Sequence, residues 1–293
     1  MSVGTVITAM ITPFDDAGAV DLREAARLAA WLVDRGNDGL VIAGSTGEGQ
    51  ALDDAERNAL IAAVKEAVGG RACVIANTGT NETRGSIAAT RAAQQHGADA
   101  ILAVVPYYNK PTQSGMLAHF GAIAESMALP IVIYNIPGRT AANLLPETLL
   151  ELASRHSNVV GVKESSGDLK AIATIARDRA PGFVLLAGDD HLFAPCLAVG
   201  ADGIVGVASH LCSREFRELL AAHRSGDVAT VTRIHSSLLE LFDTLFATTS
   251  PIPIKWAMRQ LGFAVGECRL PLDAMPVALG KRLAPQLERF RSS

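Results

Sequence analysis

The chain has 293 residues, 49% hydrophobic, 19% charged and 5% aromatic, with a formal net charge of -4. This is a soluble globular composition with enough chain for a large core, and without a block of Lys and Arg it speaks against nucleic acid as a partner. No apolar run approaches the roughly 20 residues of a membrane span. The opening MSVGTVITAMITPF lacks a basic leader and a small-residue cleavage site and reads as a first strand; with cysteines that suit a reducing compartment, a cytoplasmic protein is expected.

Taken in chain order, eight short and nearly continuous apolar runs predict strands buried on both faces: VITAMIT, GLVIAGS, CVIANT, AILAVVP, IVIYNIP, VVGVKES, FVLLAGD and GIVGVAS. Amphipathic helices are expected between them. In the first, Leu22, Ala25, Ala26, Ala29, Leu32 and Val33 recur at helical spacing, with Asp21 at the N-cap, Glu24 three residues on and Gly36 at the end. Later helices are expected to begin near Asp53, Glu82, Gln113, Pro146, Asp168, Asp190 and Ser213. Strand then helix, eight times, predicts an α/β fold, the (β/α)8 TIM barrel; a doubly wound open sheet usually has fewer strands. From Asp227 onward the pattern is helical only, with TSPIPIK as a Pro-broken connection. The expected domains are a catalytic barrel over 1–226 and a C-terminal helical domain over 227–293.

In such a barrel the chemistry sits at the strands' C-terminal ends. Strand two ends in GSTGEG, strand four in PYYNKP, strand five in YNIPGRT and strand six in KESSG. Lys163 closes an apolar run, where a buried ammonium is costly unless it is paired or gives up its proton. A neutral amine there would attack a ketone and form a Schiff base; the competing reading is a lysine salt-bridged to a strand-end carboxylate such as Glu164. GSTGEG has neither P-loop nor dinucleotide spacing, and is either a cradle of backbone amides for an anion at Ser45 and Thr46 or a plain tight turn. Tyr108 and Tyr134 offer phenols that relay a proton, against a bland role as rim residues; all three tyrosines of the chain fall at strand ends, which favours the relay. Arg139 offers a planar fork for a carboxylate, although a surface loop arginine would look the same. In AGDDH, Asp189 and Asp190 precede an apolar helix and read as N-capping residues rather than metal ligands. Cys73, Cys196, Cys212 and Cys268 show no CxxC spacing and no nearby His completes a zinc pattern, so no metal is expected.

Together GSTGE, PYYNKP, YNIPGRT and GVKESSGD, with TAMITPF near the start and PIPIKWAMRQLG in the helical tail, make a chain that resembles the 4-hydroxy-tetrahydrodipicolinate synthase (dihydrodipicolinate synthase) family of the pyruvate-dependent class I aldolases. The resemblance covers nearly the whole chain. It implies a (β/α)8 barrel with a C-terminal helical domain, a homotetramer built from two tight dimers, and a lyase that condenses pyruvate with L-aspartate-4-semialdehyde without metal or organic cofactor. Carried over by motif, it makes Lys163 the Schiff-base lysine, Tyr134 the relay tyrosine beside it, and Ser45 and Tyr108 the rest of the relay, Tyr108 reaching in from the neighbouring subunit. Thr46 with the backbone of Ser45 would hold the pyruvate carboxylate, Arg139 that of the second substrate, and Val205 would line the pocket by its backbone. One departure is Ser45, where most of the family has Thr; the hydroxyl stays and the stiffening methyl goes.

Two other readings compete. One is a related lyase acting on N-acetylneuraminate or a 2-keto-3-deoxy sugar acid, against which the PGRT arginine speaks. The other is a non-catalytic barrel that binds a small acid, against which Lys163, Tyr134 and Tyr108 speak. The resemblance also bears on regulation. Where lysine-inhibited members carry a glutamate and a histidine, this chain has Gly85 and Arg57; Gly49 and Gln50 replace a small polar pair, while Asn81 and Tyr107 remain. An enzyme insensitive to lysine is expected.

Overall fold

A computed structural model describes residues 3–291. Eight parallel strands close into a barrel in sequence order, with the last pairing back to the first. They are β1 (Val6–Ala9), β2 (Gly39–Ile42), β3 (Cys73–Asn77), β4 (Ala100–Val104), β5 (Ile131–Asn135), β6 (Val159–Glu164), β7 (Val184–Ala187) and β8 (Gly203–Gly206). The helices that cover it are α1 (Leu22–Asp34), α2 (Asp54–Val68), α3 (Thr83–Gln95), α4 (Gln113–Glu125), the single turn α5 (Pro137–Thr140), α6 (Pro146–Arg155), α7 (Leu169–Asp178), α8 (Phe193–Ala198) and α9 (Ser209–Ser225). This is the expected TIM barrel. Strand residues alternate between two cores. Ile7, Val41, Ile75, Leu102, Val132, Tyr134, Leu186 and Val205 fill the barrel's interior, while residues such as Val6, Leu40, Val74, Ile101, Ile133, Val162 and Leu185 face the helices.

The helix starts follow their capping chemistry. Asp21, Asp53, Glu82 and Asp168 each accept from a backbone N–H in the first turn, and at Asp53 the side chain of Glu56 returns the bond to make a capping box. Two starts differ from expectation. A 3-10 turn over Asp190–Leu192 precedes α8, and α9 begins at Ser209 with a kink at Cys212 rather than at Ser213.

After Gly226, which caps α9 in the left-handed conformation, the chain is helical: α10 (Val228–Leu245), α11 (Ile252–Gln260), α12 (Val277–Leu283) and the single turn α13 (Glu288–Arg291). The connection expected at TSPIPIK is shorter than its prolines suggested. Ile252 already begins α11, and Pro253 lies in its first turn, where no N–H is needed for the helix ladder. Among the described residues no helix is long and apolar enough to cross a membrane.

Candidate active site

At the C-terminal ends of β2 to β5 the barrel opens into a cavity of about 290 Å³, walled by Gly44, Ser45, Asn77, Thr78, Val104, Tyr107, Tyr134, Ile136, Arg139 and Thr140, with Gly49, Gln50 and Arg57 at its side. The loop after β2 makes one wall because its backbone turns twice through left-handed geometry, at Ala43 (φ 57°) and Glu48 (φ 52°). Its glycines permit close backbone packing: an added Cβ at Gly49 would lie 1.9 Å from the Ala43 carbonyl oxygen, and one at Gly47 2.8 Å from that of Met10. Ser45 is half-buried and Thr46 buried. Among the described residues nothing accepts from the backbone N–H of either, so both amides remain available to an anion.

Lys163 is 5% exposed and stands beside Tyr134, its register partner on β5, with the ammonium 4.1 Å from the centre of the phenol ring. Room for the lysine stem comes from Gly188, just beyond β7. A Cβ there would lie 3.0 Å from Lys163 Cε and 1.9 Å from Ser165 Oγ. No carboxylate forms an ion pair with Lys163 among the described residues, and the salt bridge to Glu164 considered from the sequence is not made. Adjacent strand residues point to opposite faces. Glu164 therefore turns outward and accepts from Asn135 Nδ2 (3.0 Å) and the Ser166 amide (2.7 Å). Burial raises the Glu164 carboxyl above its ordinary range, against the pull of those bonds.

The remaining predicted residues are spread around this point. Arg139 is exposed on α5 at the cavity rim. Val205 is buried inside the barrel on β8. Tyr108 is 88% exposed and outside the cavity, with a left-handed backbone (φ 73°) in a loop that Asn109 ties to the Asn81 carbonyl at 2.7 Å. A single chain thus brings Ser45, Tyr134 and Arg139 to one cavity, with Lys163 against Tyr134, and leaves Tyr108 apart.

The aspartates of AGDDH divide. Asp189 caps as expected, accepting from the His191 amide at 3.0 Å. Asp190 does not: it is 1% exposed and its Oδ2 accepts from the amides of Val207 (3.1 Å) and Ala208 (3.0 Å), tying the end of β7 to that of β8. Burial pushes its carboxyl up to about 6. Sequence reasoning also passed over Asn77 and Thr78 at the end of β3. A polar pair closing an apolar strand was the available signal. Among the described residues no group of three or more His, Cys, Asp or Glu is placed to hold a metal ion.

Comparison with known proteins adds to this geometry. The model of the Dihydrodipicolinate synthetase family matches residues 2–286. The 4-hydroxy-tetrahydrodipicolinate synthase of Thermosynechococcus vestitus is 49% identical over 286 residues, covering 97% of this chain and 96% of that protein. Two solved structures are similar throughout. One is the dihydrodipicolinate synthase of Cyanidioschyzon merolae with lysine bound (TM-score 0.95, 42% identity, 99% of this chain and 98% of that one). The other is a dihydrodipicolinate synthase of Bacillus anthracis (TM-score 0.95, 40% identity, 98% of each chain).

Proposed function

The chain belongs to the dihydrodipicolinate synthetase family, and from that premise we infer how its barrel mouth works. The protein is a lyase of the class I aldolase type that condenses pyruvate with L-aspartate-4-semialdehyde to 4-hydroxy-tetrahydrodipicolinate, in lysine and diaminopimelate biosynthesis. The observation that carries the mechanism is Lys163, buried, in no ion pair among the described residues and 4.1 Å from the ring of Tyr134, which itself lines the cavity.

The chemistry follows from the amine. The lone pair of Lys163 Nζ adds to the ketone carbon of pyruvate, and loss of water leaves a protonated imine. The imine withdraws electrons, so the pyruvate methyl gives up a proton and becomes an enamine. Its carbon attacks the aldehyde of the second substrate, whose oxygen takes a proton to become the 4-hydroxyl. The second substrate's amino group then adds to the imine carbon, closing the ring and freeing Lys163. Tyr134, Ser45 and Tyr108 move these protons. The free amides of Ser45 and Thr46 take the pyruvate carboxylate, Arg139 takes the carboxylate of the aldehyde substrate, and the backbone at Val205 closes the pocket. The exposure of Tyr108 supports its service to a neighbouring subunit, within a homotetramer of two tight dimers. We assign the barrel domain to 1–226 and the helical domain to 227–293, and the protein to the cytoplasm.

Borohydride reduction in the presence of pyruvate tests this reading. The peptide holding Lys163 should gain the mass of a reduced pyruvyl group, and the protein should consume the aldehyde only when pyruvate is present. An adduct elsewhere, or none, removes the mechanism.

Regulation follows from the same cavity. Arg57 lines it, held by Asp54 (2.6 Å) and the Gly49 carbonyl (3.2 Å). The two acids that could stand in for the missing glutamate from a neighbouring turn are already engaged: Glu82 caps α3 through the amides of Arg84 and Gly85, and Asp54 is paired with Arg57. With no carboxylate among the described residues that line the cavity and the Arg57 cation there, lysine binding should be weaker by at least about 100-fold than at a site with a paired glutamate. A steady-state titration should show no half-inhibition below about 1 mM lysine, equivalent to roughly 4 kcal/mol of binding; inhibition below that concentration refutes the prediction.

A further inference from the structure

We propose that Lys255, on α11 outside the barrel, is a positioning residue for the pyruvate-binding loop after β2 and acts through Glu48; the proposal rests on the roles given above to Ser45 and Thr46. Glu48 is completely buried three residues beyond Ser45 and is the turning point of that loop. Its amide donates to the Ser45 carbonyl (3.2 Å), and its own carbonyl accepts from Ala51 (2.8 Å). Its backbone is left-handed, at φ 52°, a conformation that a side-chain-bearing residue adopts only when its surroundings impose it.

The contacts that hold it come from the C-terminal segment, one from α11 and one from the loop that follows it. Lys255 Nζ donates to Glu48 Oε1 at 2.8 Å, and the Arg269 amide donates to Oε2 at 2.8 Å. Both charged side chains are almost wholly shielded, at 2% and 1% exposure. The Lys255 ammonium also lies 3.9 Å from the centre of the Phe14 ring, with the Arg269 guanidinium 4.3 Å from the same centre.

A buried ion pair is a poor device for stability alone, because well-packed apolar residues of the same volume often do as well. What a carboxylate with two directed partners adds is a fixed position. Here that position sets the turn from Ser45 to Glu48, and hence where the free amides of Ser45 and Thr46 point. Neither Glu48 nor Lys255 lines the cavity. With its carboxylate taken up by Lys255 and the Arg269 amide, Glu48 is placed to act on pyruvate through the loop.

The test measures the pyruvate concentration that gives half-maximal borohydride-trapped adduct at Lys163, without aldehyde, in the full-length protein. The double variant Glu48→Gln/Lys255→Met leaves no unpaired buried charge and is the main probe, with Glu48→Gln alone as the second. In both, folded by circular dichroism, half-saturating pyruvate should rise at least about tenfold, the ratio set by one misplaced hydrogen bond to a carboxylate. The KM for the aldehyde at saturating pyruvate should stay within about twofold. A folded double variant that captures pyruvate at wild-type concentrations overturns the positioning role, and so does loss of folding in both variants, which would make the pair a folding element only. A wild type that forms no adduct removes the functional reading itself, a result distinct from an unshifted variant of a reactive wild type.

Discussion

Two lysines in this molecule are almost equally buried, and their surroundings differ in one respect. Lys163 and Lys255 are 5% and 1% exposed, and each holds its ammonium about one ring-contact away from an aromatic face, at 4.1 Å over Tyr134 and 3.9 Å over Phe14. Lys255 also has a carboxylate at 2.8 Å; Lys163 has none among the described residues. Burial alone therefore does not make a lysine reactive. Paired, it fixes a loop; unpaired beside a cavity, its nitrogen is free to approach a carbonyl carbon.

Exchanging each lysine for methionine, close in shape and without charge, should separate the two roles most widely. Lys163→Met removes the proposed nucleophile, and turnover should fall by at least about 10⁴-fold, with no adduct trapped. Its folding stability should hold within about 1 kcal/mol or rise, because no partner is left unpaired. Lys255→Met should do the reverse in denaturant titrations, losing about 3–5 kcal/mol because Glu48 stays behind as an uncompensated buried charge. Similar stability losses in the two variants would dissolve the contrast.

A smaller effect separates capture by Lys163 from recognition of the second substrate. Arg139 is exposed at the cavity rim. Arg139→Ala should lose a charge-assisted bond of roughly 1.5–3 kcal/mol, about 10- to 100-fold in kcat/KM for the aldehyde. The pyruvate adduct should still form. Normal aldehyde kinetics would withdraw the assignment and leave Lys163 untouched.

The contrast also explains what could be read from the chain. The eight strands were legible because parallel strands buried on both faces must be apolar throughout, and four helix starts because Asp21, Asp53, Glu82 and Asp168 cap them. Lys163 was legible because it ends such a strand. Its pairing was not, because Glu164 is adjacent in sequence yet faces the other way. Lys255 carried the same kind of signal, a charge inside the apolar PIPIKWAM. It was passed over because two prolines made that segment look like a connection, and because its partner lies 207 positions away in the chain. Asp190 was misread for a similar reason. Its sequence neighbourhood describes a cap, whereas its partners, Val207 and Ala208, arrive from the next strand.

Asp190 and His210 extend the comparison to buried ionisable groups held by backbone alone. They flank the same segment: Asp190 accepts from the amides of Val207 and Ala208, while His210 Nδ1 donates to the Val207 carbonyl (2.8 Å) and Nε2 accepts from the Ile11 amide (3.2 Å). Burial pushes Asp190 up to about 6, the added charge of Asp189 acting the same way and Lys163 against it. Burial also pushes His210 down to about 4. The two shifts act oppositely on stability. As pH falls below about 6, the folded state takes up the Asp190 proton before the unfolded chain does, which stabilises the fold. As pH falls through His210's ordinary 6.5 toward about 4, the unfolded chain takes up that proton first, which destabilises it. In the native protein the two slopes largely offset each other across this window. Asp190→Asn keeps an oxygen for the two amides and removes the titration, so only the His210 loss remains. Between pH 7 and 4.5 the variant should lose about 2 kcal/mol more than the wild type in denaturant-unfolding free energy. Carboxylates held low elsewhere, such as Asp38, act alike in both proteins and drop out of the difference. Parallel stability profiles for the two proteins would mean that Asp190 is already ionised throughout this range, and that two backbone amides suffice to hold a buried carboxylate as Glu48 is held by a lysine.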